Sequence, residues 1–163
     1  MRYAQIREMD ISNGEGIGAA LFVQGCHFHC EGCFNQETWD FNDGKEFTEK
    51  TRQFLLTILK RDYIQRFSIL GGEPLCDENI ETVKSLILDV KKEIPNIKIW
   101  LYTGYTLAEI KQSSKLEEVV SLIDVLVEGR YIQEFADMSY PWAGSTNQHV
   151  IKNNNKEKED KIL

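Results

Sequence analysis

With 163 residues, 42% of them hydrophobic, the chain is long enough to bury one core and short enough that a single domain is the natural expectation. Its formal net charge of -7 argues against a surface built to coat nucleic acid. No apolar run approaches the roughly 18–20 residues of a membrane helix, and the opening Met1-Arg2-Tyr3-Ala4-Gln5-Ile6-Arg7-Glu8 lacks the apolar core of a signal peptide. A cytoplasmic protein with no membrane partner is expected.

In chain order, Ala19-Ala20-Leu21-Phe22-Val23-Gln24 reads as the first buried strand. It runs into Gly25-Cys26-His27-Phe28-His29-Cys30-Glu31-Gly32-Cys33-Phe34-Asn35. Three of the four cysteines fall within eight residues, which points to metal or redox chemistry in a reducing compartment rather than a disulfide framework. Thiolates at C-x3-C-x2-C spacing can hold a metal centre and leave one ligand position open, the mark of a reactive site rather than a scaffold. For a [4Fe–4S] cluster, normally held by four cysteines, three leave one iron free to bind something else. His27 or His29 could instead complete a Cys3His zinc site. Structural zinc favours a second Cys/His pair farther on, however, and the only other histidine is His149. Solvent-facing or loop-packing roles suit His27 and His29 better. Cys76 reads as a small half-buried residue or free thiol, because a fourth thiolate would close the site.

Phe47 to Lys60 carries Phe54, Leu55, Ile58 and Leu59 at helical spacing with Thr48 as N-cap. Arg66-Phe67-Ser68-Ile69-Leu70 is a second strand, stopped by Gly71-Gly72-Glu73-Pro74. An amphipathic helix spans Asp77 to Glu93, with Ile80, Val83, Leu86, Ile87 and Val90 on one face and Pro95 beyond its end. Ile97 to Tyr102 makes a third strand. Thr106-x-x-Glu109 and Ser114-x-x-Glu117 both match the start of a capped helix. Asp124 to Glu128 is a fourth strand ending at Gly129-Arg130, and His149-Val150-Ile151-Lys152 a short last one. Residues 1–152 form one compact domain in this reading, and the polar, repetitive stretch 153–163 is a disordered tail.

Strands alternating with helices imply βαβ units and a mainly parallel sheet with right-handed crossovers. A closed eight-stranded β/α barrel takes about 250 residues, so the expected α/β fold is a partial, open (β/α) barrel. Ligands in such sheets collect at the C-terminal strand ends. The cysteine loop, Gly71-Gly72-Glu73-Pro74, Thr103-Gly104-Tyr105 and Gly129-Arg130 all fall there. Gly-Gly turns suit close approach of backbone to a ligand.

The cysteine triplet after one strand and the Gly-Gly-Glu-Pro turn after the next resemble the radical S-adenosylmethionine superfamily. Asn13-Gly14-x-Gly16, Leu21-Phe22-Val23-x-Gly25-Cys26, Gly32-Cys33-Phe34-Asn35, Tyr102-Thr103-Gly104-Tyr105, Val125 to Arg130 and Trp142-x-Gly144-Ser145-x-Asn147-Gln148 narrow the likeness. In that order they resemble the activating proteins of anaerobic ribonucleoside-triphosphate reductase, over roughly residues 1–151. The chain departs from that pattern in places. Glu73 stands where the family often has Asp, Ala143 where it often has Arg, and Gly18 where members can carry Arg. Gly32 lies where many superfamily members place an aromatic, and here Phe34 follows the third cysteine instead.

The resemblance implies that Cys26, Cys30 and Cys33 bind three irons of a [4Fe–4S] cluster, and that the fourth chelates S-adenosylmethionine. One-electron reduction would then yield methionine and a 5′-deoxyadenosyl radical, which abstracts hydrogen from a glycine Cα of the reductase large subunit. Gly71 and Gly72 would allow the cofactor close to the backbone, and Glu73 would accept a hydrogen bond from its cationic methionyl end. Gly32 and Phe34 would touch the adenine side, with Asn13, Tyr102 and Arg130 as further lining. No protein general base or nucleophile is assigned, because a carbon radical abstracts the hydrogen. A low-potential flavodoxin or ferredoxin would supply the electron. Trp39 and Trp100 read as packing residues, while Trp142 either closes the site or meets the partner. The rival readings are a pyruvate formate-lyase-type activator, a deazapurine synthase and a zinc-stabilised interaction module.

Overall fold

The computed structural model describes residues 1–153. A seven-stranded sheet has the order β3-β1-β2-β4-β5-β6-β7. The strands are β1 (Arg2–Asp10), β2 (Gly18–Val23), β3 (Lys45–Glu46), β4 (Arg66–Gly71), β5 (Lys98–Thr103), β6 (Val125–Glu128) and β7 (His149–Lys152). The helices are α1 (Glu49–Leu59), α2 (Ile80–Glu93), α3 (Leu107–Lys111) and α4 (Ser114–Ser121). The four central strands, β2, β4, β5 and β6, pair in parallel, while β1, β3 and β7 add antiparallel edges. The α/β class is as expected, and the sheet is open.

Alternation along the parallel strands sorts the side chains into two layers. Ala19, Leu21, Val23, Phe67, Ile69, Ile99, Leu101 and Leu126 share one buried core with the apolar stripes of α1, α2, α3 and α4. Ala20, Phe22 and Leu70, with Trp100, Val125 and Val127, face the other way and pack with Tyr102 and Trp142. Successive strands lie side by side from β2 to β6, so crossovers of one hand put every helix on the first face. The second face is left to loops, and the site lies there.

Two strands escaped the sequence reading. In β1 the residues are mostly half-exposed, so its alternation is weak, and Arg7 lies over the Phe22 ring at 4.6 Å. The two residues of β3 are too few to make a pattern. Helix α2 begins at Ile80, three residues later than Asp77. The Asn79 side chain, instead of capping the helix, donates to the carbonyls of Gln24 and Glu73 at 3.0 Å each, which holds that turn against the end of β2. Thr106 and Glu109 form the expected capping box, but α4 is capped by Ser113 rather than Ser114. Asn153, assigned to the tail, is fastened by its amide to the Asp124 carbonyl at 2.8 Å. The remainder of the expected tail, 154–163, lies outside the described residues.

Candidate functional site

The C-terminal ends of the parallel strands open onto a cavity of about 750 Å³. Its wall includes Cys26, Cys30 and Cys33, the Gly71-Gly72-Glu73 turn, Tyr102 to Gly104, and Gly129-Arg130. Phe34 and Asn13 also face it. Gly32 is not part of that wall, and a side chain there would meet Gln133 at 2.9 Å, on the loop that follows β6.

The cysteine loop is closed at its base. Gly25 and Cys26 donate to the carbonyls of Thr38 and Trp39, and the Gln24 side chain donates to those of Glu37 and Asp40. Gly72 fits directly against Gly25, where any Cβ would collide with the Gly25 carbonyl, and the Glu73 amide donates to that carbonyl at 2.8 Å. The Gly-Gly pair thus lets the end of β4 press on the start of the cysteine loop.

All four cysteines are free thiols. Burial pushes the Cys26 and Cys30 thiols up, with the nearby Glu73 charge adding to the first and Cys33 to the second. Cys33 Sγ accepts the Asn35 amide at 3.4 Å. Among the described residues no three His, Cys, Asp or Glu side chains converge on a point that a single ion could occupy. Cys26, Cys30 and Cys33 all line the one cavity. Neither histidine joins them. His27 pairs with Glu78 at 2.8 Å, and His29 stacks on Trp39 at 4.4 Å. Cys76 is buried away from the cavity wall and pushed up to about 12, first by burial and then by the charge of Glu73.

Glu73 is more occupied than the sequence implied. Its Oε1 accepts the Leu75 amide and the Thr103 hydroxyl at 2.9 and 2.7 Å, and Oε2 accepts the Gly104 amide at 2.8 Å. A carboxylate has about four acceptor sites, so little capacity remains for a ligand, all of it on Oε2. Burial raises this carboxyl to about 7 against the pull of those donors and of Arg130.

Arg130 lies 4.3 Å over the Phe28 ring and pairs with Glu109 at 3.0 Å. It therefore ties the cysteine loop to the start of α3. Phe28, given no role from sequence, also meets Tyr105 edge-on at 4.9 Å, so it plugs the gap between the cysteine loop and β5. The Tyr102 hydroxyl is buried without a hydrogen-bond partner, and its titration is shifted up by burial.

The Trp142 to Gln148 motif builds a strap between β6 and β7. Gln148 Oε1 accepts the Gly144 and Ser145 amides at 3.0 and 3.1 Å, while its Nε2 donates to the Gly129 carbonyl at 2.9 Å. The Asn147 side chain donates to the Arg130 carbonyl at 2.8 Å. Trp142, in a left-handed conformation with φ 63°, meets Trp100 edge-on at 6.0 Å. It lines the cavity. Trp39 also reaches the wall, beyond the packing role expected of it, whereas Trp100 is buried packing.

Comparison with known proteins agrees with this geometry. The family described as a 4Fe-4S single cluster domain matches residues 12–151. The anaerobic ribonucleoside-triphosphate reductase-activating protein of Vibrio cholerae is 42% identical over 152 residues, covering 92% of this chain and 97% of that protein. The chain belongs to the anaerobic ribonucleoside-triphosphate reductase-activating protein family. The Escherichia coli K12 member is 39% identical over 152 residues, with the same coverage of each chain. The member from Enterobacteria phage T4 is 38% identical over 153 residues, covering 94% of this chain and 95% of that protein. The family match supports a 4Fe-4S domain over residues 12–151, the stretch that holds the cysteine-lined cavity.

Proposed function

We propose that this protein activates an anaerobic ribonucleoside-triphosphate reductase by radical chemistry in the strand-end cavity. Cys26, Cys30 and Cys33 would hold the [4Fe–4S] cluster, and the remaining volume would take S-adenosylmethionine. When bound, these two groups supply a one-electron cleavage of the carbon–sulfur bond, the source of the radical that creates a glycyl radical on the reductase. The protein's own part is to bind and orient. Gly71 and Gly72 admit the cofactor against backbone, Glu73 Oε2 offers negative charge toward a cation, and Phe34, Tyr102 and Asn13 wall the rest. No side chain is asked to move a proton.

The observation that carries this reading is that three cysteines and three strand-end turns line one cavity of about 750 Å³, far more room than a closed structural metal site uses. A mononuclear zinc module has no such need for space, and His27 and His29 are engaged elsewhere. A cytoplasmic setting suits the free thiols, and a low-potential flavodoxin or ferredoxin would be the electron source.

The test is to reduce the cluster-loaded protein anaerobically, add S-adenosylmethionine and the reductase large subunit, and record electron paramagnetic resonance spectra. A glycyl doublet on the reductase is expected. A doublet on a formate-lyase-type enzyme but none on the reductase would reassign the partner.

A further inference from the structure

Arg66 opens β4 on the loop-covered face of the sheet, and its side chain is only 1% exposed. A guanidinium has five N–H donors, and all five are used. Nε donates to the Glu15 carbonyl at 3.2 Å, Nη1 to the Asn13 carbonyl at 3.0 Å and to Ser68 Oγ, and Nη2 to the Asp10 carbonyl and Oδ1 at 2.7 and 3.1 Å. Two of those five bonds end on the short loop between β1 and β2, and two more on Asp10, the last residue of β1. The same Asp10 carboxylate accepts the Asn13 amide at 3.0 Å and Asn13 Nδ2 at 2.8 Å, and Ser68 Oγ donates to the Asn13 carbonyl at 2.6 Å.

Asn13 is thus fixed at three atoms. One atom is left over: Oδ1 takes no hydrogen bond from any described residue, and Asn13 stands on the cavity wall beside Ser12. The chain also makes room for this one side chain from two directions. Gly14 cannot carry a Cβ without colliding with Arg66 Cδ, and a Cβ on Gly18 would lie 2.7 Å from both Arg66 Cζ and the Arg66 backbone carbonyl oxygen. Gly18 is the register partner of Arg66 across the parallel β2–β4 pair, and its missing side chain leaves the slot to the Arg66 guanidinium. Gly18 is also the position where the resemblance allows an arginine.

We propose that Arg66 is a positioning residue: through Asp10 and the Asn13 carbonyl it sets Asn13 so that Oδ1 accepts a hydrogen bond from an N–H or O–H group of the ligand in the cavity. The claim rests on the cavity being the S-adenosylmethionine site. Arg66 touches no ligand. Its effect reaches the cavity only through the loop.

The test compares wild type, Arg66→Gly and Asn13→Ala as cluster-loaded proteins. The readouts are S-adenosylmethionine affinity by equilibrium dialysis, iron and sulfide content, and hydrogen exchange of the amides at 11–16. Arg66→Gly should weaken binding by about tenfold or more, the scale of one lost hydrogen bond, and speed exchange at 11–16 while iron content holds. Asn13→Ala should lose the same affinity with unchanged iron, and it keeps the test decisive if Arg66→Gly fails to fold. Wild-type affinity in Asn13→Ala, or unchanged exchange at 11–16 in Arg66→Gly, would overturn the proposal. A wild type that binds no S-adenosylmethionine would instead overturn the functional reading beneath it.

Discussion

The Thr103 hydroxyl donates to Glu73 Oε1 at 2.7 Å, linking the last residue of β5 to the turn that ends β4. With the Leu75 and Gly104 amides on the same carboxylate, Glu73 is a structural tie before it is a ligand contact. Glu73→Ala strands those donors in a buried place, at about 1–3 kcal/mol for each one left unsatisfied. Thermal unfolding should show a clear drop in Tm for Glu73→Ala and a smaller one for Glu73→Gln, which keeps an acceptor oxygen. Equal, wild-type melting of both would refute the tie.

Titration gives two effects of opposite sign. Glu73 is raised to about 7, so its contribution to stability is full below the ordinary carboxyl value and is lost as pH rises through about 7. Its affinity for a cation runs the other way. S-adenosylmethionine should bind more weakly at pH 6 than at pH 8, and Glu73→Gln should flatten that profile. Asp10 is buried, yet the hydrogen bonds from Asn13 and Arg66 hold its carboxyl below the usual value. Its contribution is present above the ordinary carboxyl value and fades as pH falls through the lowered one. Acid unfolding of Asp10→Asn should lack that component, and an unchanged acid limb would contradict it.

Gln148 carries the strap. Removing its side chain in Gln148→Ala frees the Gly144 and Ser145 amides and the Gly129 carbonyl together. Hydrogen exchange at 131–148 should accelerate by about tenfold or more, on the basis of roughly 1 kcal/mol for each lost bond, while α1 and α2 stay protected. Uniform exchange across the chain would mean that the strap is held by something else.

Arg130→Ala should separate site from stability. Its pair with Glu109 is partly exposed and its contact with Phe28 is a cation–π one, so the combined cost is about 1 kcal/mol. Cofactor affinity should fall by more than that modest change in Tm suggests, because Phe28 loses its anchor beside the cysteines. A variant with normal affinity would show that Arg130 only decorates the rim.

Much of this was legible in the chain because each signal was local. The cysteine spacing, the Gly71-Gly72 turn and the largely apolar runs of β2, β4, β5 and β6 needed no distant partner to be read. The misses share the opposite property. Arg66 looked like an ordinary strand start, since four of its five acceptors lie on the end of β1 and the loop after it, some fifty residues earlier. Gly32 looked like a ligand contact from its place beside Cys33, and only the fold shows Gln133 against it. Phe28 was hidden between two histidines that drew the attention a metal site invites. Gln148 belonged to a recognised motif, but a motif names residues without saying that one side chain holds both ends of a loop.

The most direct measurement is the electron paramagnetic resonance spectrum of the anaerobically reconstituted, reduced protein, recorded before and after adding S-adenosylmethionine. The account predicts one [4Fe–4S] cluster per chain, a spectrum altered by the cosubstrate, and loss of the cluster in Cys26→Ala, Cys30→Ala and Cys33→Ala. A spectrum indifferent to S-adenosylmethionine, or zinc in place of iron, would contradict it.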